Sequence, residues 1–146
     1  MAGKTSFKID LDRIAQIESS GKDDAVGDNG LALGRFQIHS PVVKEYNAYT
    51  GSKLKHKDML NGETASIVAD WYLNKRIPQM LNYFKIPDTL ENRIISYNAG
   101  IGTLTNEKKI PKTTSDYIKK YLDFDQSQDD VVNSVREMLG AAPKLT

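Results

Sequence analysis

The sequence DLDRIAQIESSG at residues 10–21 predicts an amphipathic helix with a carboxylate on its apolar side. Glu18 follows Leu11 by seven residues and Ile14 by four, spacings that place the three side chains on one helix face. A carboxylate on an apolar face costs free energy unless it is paired or protonated. The segment therefore predicts that Glu18 points towards the protein interior.

The predicted end of this helix reinforces that interpretation. The helix begins near Asp10 and should end at about Ser20, with Gly21 in the left-handed position that follows many helices. The last turn of a helix carries partial negative charge, which disfavours an ionised Glu. Burial and this charge together predict a raised pKa for Glu18. A carboxylic acid that keeps its proton near neutral pH can act as general acid on a glycosidic bond. For a lone Glu at a helix end, a solvated side chain would be the better interpretation.

The composition is that of a single globular domain without a nucleic-acid-binding surface. The chain has 146 residues, enough for one domain with a substantial core. Its net charge is +1, so no surplus of basic residues indicates nucleic-acid binding. Cysteine is absent, which excludes a disulfide framework. No apolar run approaches the roughly 18 residues of a membrane span, so no membrane insertion is predicted.

The remaining chain shows helical periodicity and no run with the alternating pattern of a strand, which predicts an all-α fold. Residues 21–34 form a Gly- and Asp-rich loop with room for a short twisted hairpin. Residues 53–61 and 101–112 are predicted as further loops. The other predicted helices cover about Ser40–Ala48 (N-cap Ser40, Pro41 at N1), Gly62–Arg76, Pro78–Phe84, Asp88–Asn98 (capping box Asp88/Glu91), a segment from Thr113 or Thr114 through Leu122, and Asp129–Leu139.

Three segments place polar side chains at a predicted helix end or in a predicted loop: ESSG at 18–21, GRFQI at 34–38 and SYNAG at 96–100. In this order and spacing they resemble the soluble lytic transglycosylase family, whose members are related to goose-type lysozyme. The family pattern contains E-S, G-x-x-Q, a Y-N-A-G box that ends a helix, and a closing E-T-x-x-Y-V segment. The resemblance covers roughly residues 8–122 and implies a single lysozyme-like domain with a cleft beside the first helix, followed by a C-terminal helical extension at 123–146.

The resemblance implies roles for individual residues. Glu18 matches the single catalytic acid/base, and Ser19 matches the serine that helps hold its carboxyl group. The implied substrate-binding residues are Ser19, Gln37, Tyr97, Asn98 and Tyr117. The chemistry of these side chains suits a sugar, since amides offer both donors and acceptors and tyrosines offer flat apolar faces with a polar tip.

Two departures from the family pattern concern the surroundings of these residues. Thr113 stands where the family usually has Glu, so the contact made by that Glu is not expected here. Arg35-Phe36 replaces the commoner Leu-Met before Gln37, which changes the wall of the groove. Trp71 could stack against a sugar, but its position in the apolar helix favours a packing role.

Whether a second carboxylate takes part in catalysis decides between transglycosylation and hydrolysis. Candidates are Asp23, Asp24 and Asp28, for which turn formation in the Gly-rich loop is the preferred interpretation. In the resembled family the muramoyl C6 hydroxyl attacks the anomeric carbon, so a single carboxylate suffices and a 1,6-anhydromuramoyl end results. If one of these Asp residues positions a water molecule, the same fold would be a hydrolytic lysozyme.

The predicted function is cleavage of the β-1,4 bond between N-acetylmuramic acid and N-acetylglucosamine in bacterial peptidoglycan. No cofactor is implied, and His39 and His56 lack the spacing of metal ligands, so solvated positions are expected for both. The N-terminus shows no signal-peptide pattern, which suggests delivery to the wall as a component of a phage virion or a secretion machine. A non-catalytic peptidoglycan-binding virion component is the alternative from another functional class.

Overall fold

The computed structural model describes residues 7–124, and this part of the chain is mostly helical, as predicted. Two short strands, β1 (Val26–Gly27) and β2 (Ala32–Leu33), pair in antiparallel register. The helices are α1 (Leu11–Ser19), α2 (Ser40–Thr50), α3 (Gly62–Trp71), α4 (Ile77–Tyr83), α5 (Leu90–Ala99), α6 (Gly102–Thr105) and α7 (112–124). The predicted helix at Asp129–Leu139 and most of the predicted extension at 123–146 lie outside the described residues.

Helix α1 forms as its periodicity predicts. The Asp10 side chain caps its first turn by accepting a hydrogen bond from the backbone of Asp12. The apolar face is buried, and Ile14 is fully inaccessible to solvent. Ser20 and Gly21 both adopt left-handed backbone angles, with φ of 57° and 78°. The helix therefore stops abruptly, and Glu18 lies in its last turn.

The Gly- and Asp-rich loop contains the short hairpin for which the sequence leaves room. Strands β1 and β2 are joined by a 3₁₀ turn at Asp28–Gly30, in which Asp28 and Asn29 have positive φ. A bridge between Leu33 and Ile38 then folds the following loop back onto β2. This compact arrangement carries the GRFQI segment alongside the end of α1.

Two predicted helix starts are wrong by one residue. His39, and not Ser40, is the N-cap of α2, so that Pro41 occupies the second helical position. The N-cap of α5 is Thr89, whose hydroxyl accepts a hydrogen bond from the backbone of Asn92 at 3.1 Å. The predicted capping box is absent there because Asp88 instead forms a two-point ion pair with buried Arg93. An ion pair with a residue only five positions along the chain thus takes the place of the predicted cap.

Helical backbone continues from α3 to α4 through a π-helical turn at Tyr72–Arg76, so the predicted restart at Pro78 does not interrupt the helical path. The N–H of Ile77 reaches back five residues to the carbonyl of Tyr72. Proline lacks an N–H and crowds the preceding turn of a regular helix. The wide turn directly before Pro78 accommodates it without a break.

Helix α3 packs at the centre of the hydrophobic core, as predicted, although one side of it is open. Val68 and Ala69 are fully buried, whereas Ile67 is 59% exposed. The predicted loop at 53–61 contains a 3₁₀ turn at His56–Leu60 that buries Met59 in the core.

Within the described residues, no helix combines the length and apolarity that crossing a membrane requires.

Candidate active site

A cleft of about 340 Å³ lies beside the end of α1. Its walls come from the hairpin, the start of α2, the π-helical turn and the end of α5. Four of the predicted site residues line it: Glu18, Gln37, Tyr97 and Asn98. The cleft is lined as well by Asp28, His39, Tyr72 and Ser96, which the sequence analysis did not predict as binding residues.

Glu18 is a half-buried carboxyl group with one well-placed donor. The Tyr117 hydroxyl on α7 donates a hydrogen bond to Glu18 Oε2 at 2.9 Å. The pKa of Glu18 is raised to about 7, chiefly by burial; the hydrogen bond from Tyr117 lowers it, and the negative charge of Asp28 adds a smaller increase. The raised pKa agrees in direction with the sequence prediction. The cleft thus contains a carboxyl group that can both release and accept a proton near neutral pH.

The hydroxyl groups of the two tyrosines near Glu18, Tyr97 and Tyr117, donate to different acceptors. Burial, together with the charge of Glu18, raises the pKa of both Tyr97 and Tyr117, so both phenols stay protonated. Tyr117 is almost fully buried and directs its proton at Glu18. The hydroxyl of Tyr97 donates to the carbonyl oxygen of Phe36 at 2.6 Å, which ties α5 to the GRFQI loop. Tyr97 therefore fixes the cleft wall as well as lining it.

Gln37 is held within its own loop. It has a left-handed φ of 51°, and its Nε2 donates to the carbonyl of Gly34 at 2.9 Å. Gly27 lies so close that a Cβ there would come within 2.1 Å of Gln37 Oε1. A glycine on β1 is therefore required for this placement of Gln37.

Ser19 does not hold the Glu18 carboxyl group through any of its described hydrogen bonds. Its Oγ lies 2.8 Å from the carbonyl oxygen of Arg35 and accepts a hydrogen bond from the backbone of Lys22 at 3.0 Å. These contacts link the end of α1 to the GRFQI loop. Ser19 thus supports Glu18 indirectly, by fixing the turn that follows it.

Asn98 ends α5 at the mouth of the cleft and is held from behind by α7. Its Oδ1 accepts a hydrogen bond from the hydroxyl of Thr114 at 2.7 Å. Thr113 is exposed, whereas the neighbouring Thr114 is buried and makes this contact. The segment that begins α7 thus supports the cleft through Thr114.

The largest omission of the sequence analysis is the pair formed by Asp28 and His39. His39 Nε2 lies 3.1 Å from Asp28 Oδ2, and both side chains are largely exposed at the cleft. His39 directly follows the GRFQI segment, which was the available signal. The prediction that His56 is solvated is wrong, because its Nε2 lies 2.8 Å from the carbonyl oxygen of Ile38 and the residue is half-buried.

Trp71 does not line the cleft; its ring packs against Tyr46, Tyr49 and Tyr72 with centroid distances of 5.3 to 6.1 Å, as the packing interpretation predicts. Among residues 7–124, no group of three His, Cys, Asp or Glu side chains is arranged to hold a metal ion.

The raised pKa of Glu18 predicts a pH-dependent effect on stability. Because the folded pKa of about 7 exceeds the ordinary value of 4.5, the folded state binds this proton more tightly than the unfolded state. The associated stability is fully present below pH 4.5 and is lost as pH rises through about 7. A shift of this size corresponds to at most about 3 kcal/mol. Glu18→Gln, which cannot ionise, should therefore unfold at a higher temperature than wild type at pH 8 and at a similar temperature at pH 4.5. Equal destabilisation at both pH values would show that the carboxyl group has a structural partner.

The comparison with known families agrees with this geometry. The family model described as "Transglycosylase SLT domain" matches residues 10–120, which include every predicted site residue. No curated protein and no solved structure matches the chain. The matched region runs from the N-cap of α1 into α7 and contains the whole cleft lining. Because the match spans well over half of the chain, the protein belongs to the soluble lytic transglycosylase (SLT) family.

Proposed function

We propose that the protein is a peptidoglycan lytic transglycosylase that cleaves the β-1,4 bond between N-acetylmuramic acid and N-acetylglucosamine, with Glu18 as its single acid/base. The observation that carries the proposal is the environment of Glu18. Its carboxyl group lines the cleft, has a pKa of about 7 and contacts a phenol that stays protonated. A group with a pKa near the working pH is suited to both directions of proton transfer.

The reaction needs two proton transfers through the same carboxyl group. Protonated Glu18 donates its proton to the glycosidic oxygen as the bond from that oxygen to the muramoyl C1 breaks. The muramoyl C6 hydroxyl then attacks C1, and the Glu18 carboxylate accepts the hydroxyl proton. The ring closes to a 1,6-anhydro sugar, water is not consumed, and Glu18 returns to its protonated form. Tyr117 stabilises the intervening carboxylate with its hydrogen bond.

The other predicted site residues would form the sugar-binding walls. Asn98 and Gln37 line the cleft with side-chain amides, and Tyr97 lines it with an aromatic ring. Ser19 and Tyr117 act from behind the wall, since their hydrogen bonds fix the end of α1 and the Glu18 carboxyl group. Delivery to the wall by a virion or a secretion machine stays a prediction from the sequence.

Hydrolysis is the second candidate reaction, and Asp28 is the observation that favours it. Asp28 lines the same cleft as Glu18, and its charge raises the pKa of Glu18. A second carboxylate of this kind can place a water molecule for attack on the anomeric carbon. Two observations argue against that role here: Asp28 lies in a tight turn with positive φ, and its carboxylate is paired with His39.

Replacing Asp28 with Asn separates the two reactions. We expect Asp28→Asn to lyse peptidoglycan within about threefold of the wild-type rate at its optimum, because the proposed reaction needs no second carboxylate. Loss of the Asp28 charge should also lower the pKa of Glu18 and move the alkaline limit of activity to lower pH. Asp24→Asn, an exposed change on the same loop, is the matched control. Inactivation by Asp28→Asn alone would instead identify a hydrolase with Asp28 placing the water.

A further inference from the structure

Helix α7 supports the cleft through two buried side chains on one of its faces. Thr114 and Tyr117 are three residues apart, a spacing that aligns side chains along a helix. Tyr117 donates to Glu18 at 2.9 Å, and Thr114 donates to Asn98 at 2.7 Å. One helix therefore holds both the carboxyl group and the amide of the cleft from behind.

The contact from Thr114 determines which end of the Asn98 amide is free. Thr114 is only 1% exposed, so water does not compete for its hydroxyl proton. That proton is directed at Asn98 Oδ1, which occupies the acceptor end of the amide. A side-chain amide has its acceptor on one branch and its two donor hydrogens on the other. With Oδ1 turned back to α7, the Nδ2 branch of Asn98 is left for the cleft that Asn98 lines.

We propose that Thr114 is a positioning residue that turns the N–H donors of Asn98 towards the cleft, where they select a saccharide carrying an acceptor-only carbonyl, the N-acetyl group. Sugar hydroxyls both donate and accept, so they pair with either orientation of an amide. An acetamido carbonyl oxygen only accepts, so it pairs only with the donor end. This inference rests on the proposed action on an N-acetylated glycan.

Saccharide binding without turnover tests the inference. The parent protein is Glu18→Gln, and the probes are the β-1,4-linked N-acetylglucosamine tetramer and its fully deacetylated form. Calorimetry or NMR titration gives the Kd of each probe, and the ratio of the two constants is compared between variants. Thr114→Val removes the hydroxyl at nearly constant volume. We expect it to weaken binding of the acetylated tetramer by about fivefold and to change binding of the deacetylated tetramer much less.

Three further variants isolate the role of the hydroxyl. Thr114→Ser keeps a hydroxyl and should restore the parental ratio. Thr105→Val, which removes a hydroxyl that contacts the carbonyl of Gly102, should leave the ratio unchanged. Asn98→Asp keeps an oxygen for Thr114 but replaces the donor end with an acceptor, so it should weaken binding of the uncharged acetylated tetramer. Because Asn98 is exposed, this variant keeps the test informative even if Thr114→Val does not fold.

The outcomes separate failure of this inference from failure of the proposed function. If the parent binds the acetylated tetramer and Thr114→Val leaves the ratio unchanged, or Asn98→Asp leaves the Kd of the acetylated tetramer unchanged, the inference is overturned and the proposed function stands. If the parent binds neither tetramer, the inference is overturned, and lysis of purified peptidoglycan by the wild-type protein decides the proposed function separately. A melting temperature measured for every variant distinguishes lost selectivity from lost folding. A merely structural role of Thr114 would weaken binding of both tetramers equally.

Discussion

Glu18→Gln should reduce lysis of purified peptidoglycan by at least about 10²- to 10⁴-fold, the usual loss when a general acid or base is removed. The loss should lie at or above the upper end of that range, because this one carboxyl group performs both proton transfers. Gln has nearly the same shape, and its oxygen can still accept the bond that Tyr117 donates to Glu18. Turbidity loss of purified cell walls measures the effect directly.

Two controls show whether such a loss is chemical. Asp12→Asn removes a carboxylate from the exposed side of the same helix and should leave lysis unchanged. Circular dichroism should report an unchanged fold for Glu18→Gln. Near-normal lysis by Glu18→Gln would remove Glu18 from the mechanism. Lysis absent from the wild-type protein as well would favour a non-catalytic peptidoglycan-binding component.

Gly34→Ala should be the most destabilising small substitution near the cleft, with a loss of roughly 3 kcal/mol or more in the free energy of unfolding. Gly34 has a left-handed φ of 82°, which by itself costs an L-residue about 1–2 kcal/mol. A Cβ at this position would also lie 1.9 Å from the carbonyl oxygen of Met59. Because that oxygen belongs to the main chain, relief of the clash requires a backbone shift, and the hydrogen bond from Gly34 to the carbonyl of Ala25 at 2.8 Å resists such a shift.

Gly51 provides the matched control for Gly34. It has a similar φ of 76°, but a Cβ there would meet no atom within 4 Å. Gly51→Ala should therefore show only the backbone cost of about 1–2 kcal/mol. The free energies of unfolding of the two variants, measured by chemical denaturation, separate the cost of the backbone conformation from the cost of the steric clash with Met59. Equal losses of stability would mean that the approach of Gly34 to Met59 does not constrain the loop.

The helices and the buried side of α1 that carries Glu18 could be predicted because their signals are local. The spacing of Glu18 from Leu11 and Ile14 predicts both the burial of its face and the direction of its pKa shift. Tyr97 and Asn98 are predicted as cleft residues through the resemblance of the SYNAG segment to the Y-N-A-G box of the family, and both line the cleft. The periodicity of the segment by itself predicts only the helix on which they lie.

The missed features depend on which polar side chains pair with each other once the chain is folded. Asp88 looks like a helix cap in the sequence, but Arg93 pairs with it and Thr89 takes over the cap. The pairing of Asp28 with His39 depends on left-handed backbone angles in the turn after β1. The periodicity of the sequence does not determine which polar side chains pair with each other in the folded protein.

The support behind the cleft was missed for the same reason. Thr114 reaches Asn98 from a helix 16 residues further along the chain, and Ser19 reaches the Arg35 carbonyl over the same separation. The family pattern indicates that a closing segment contributes to the site. It does not specify the atoms through which this particular segment acts, because Thr113 replaces the family's Glu.

The mass spectrum of the sugar products tests the single-carboxylate mechanism most directly. Purified peptidoglycan digested by the wild-type protein should yield muropeptides one water lighter than those released by a lysozyme, with ends that resist borohydride reduction. This result follows if the muramoyl C6 hydroxyl, and not water, attacks the anomeric carbon. Reducible muramic acid ends as the main product would contradict the account, because they require an activated water molecule and hence a second group acting with Glu18.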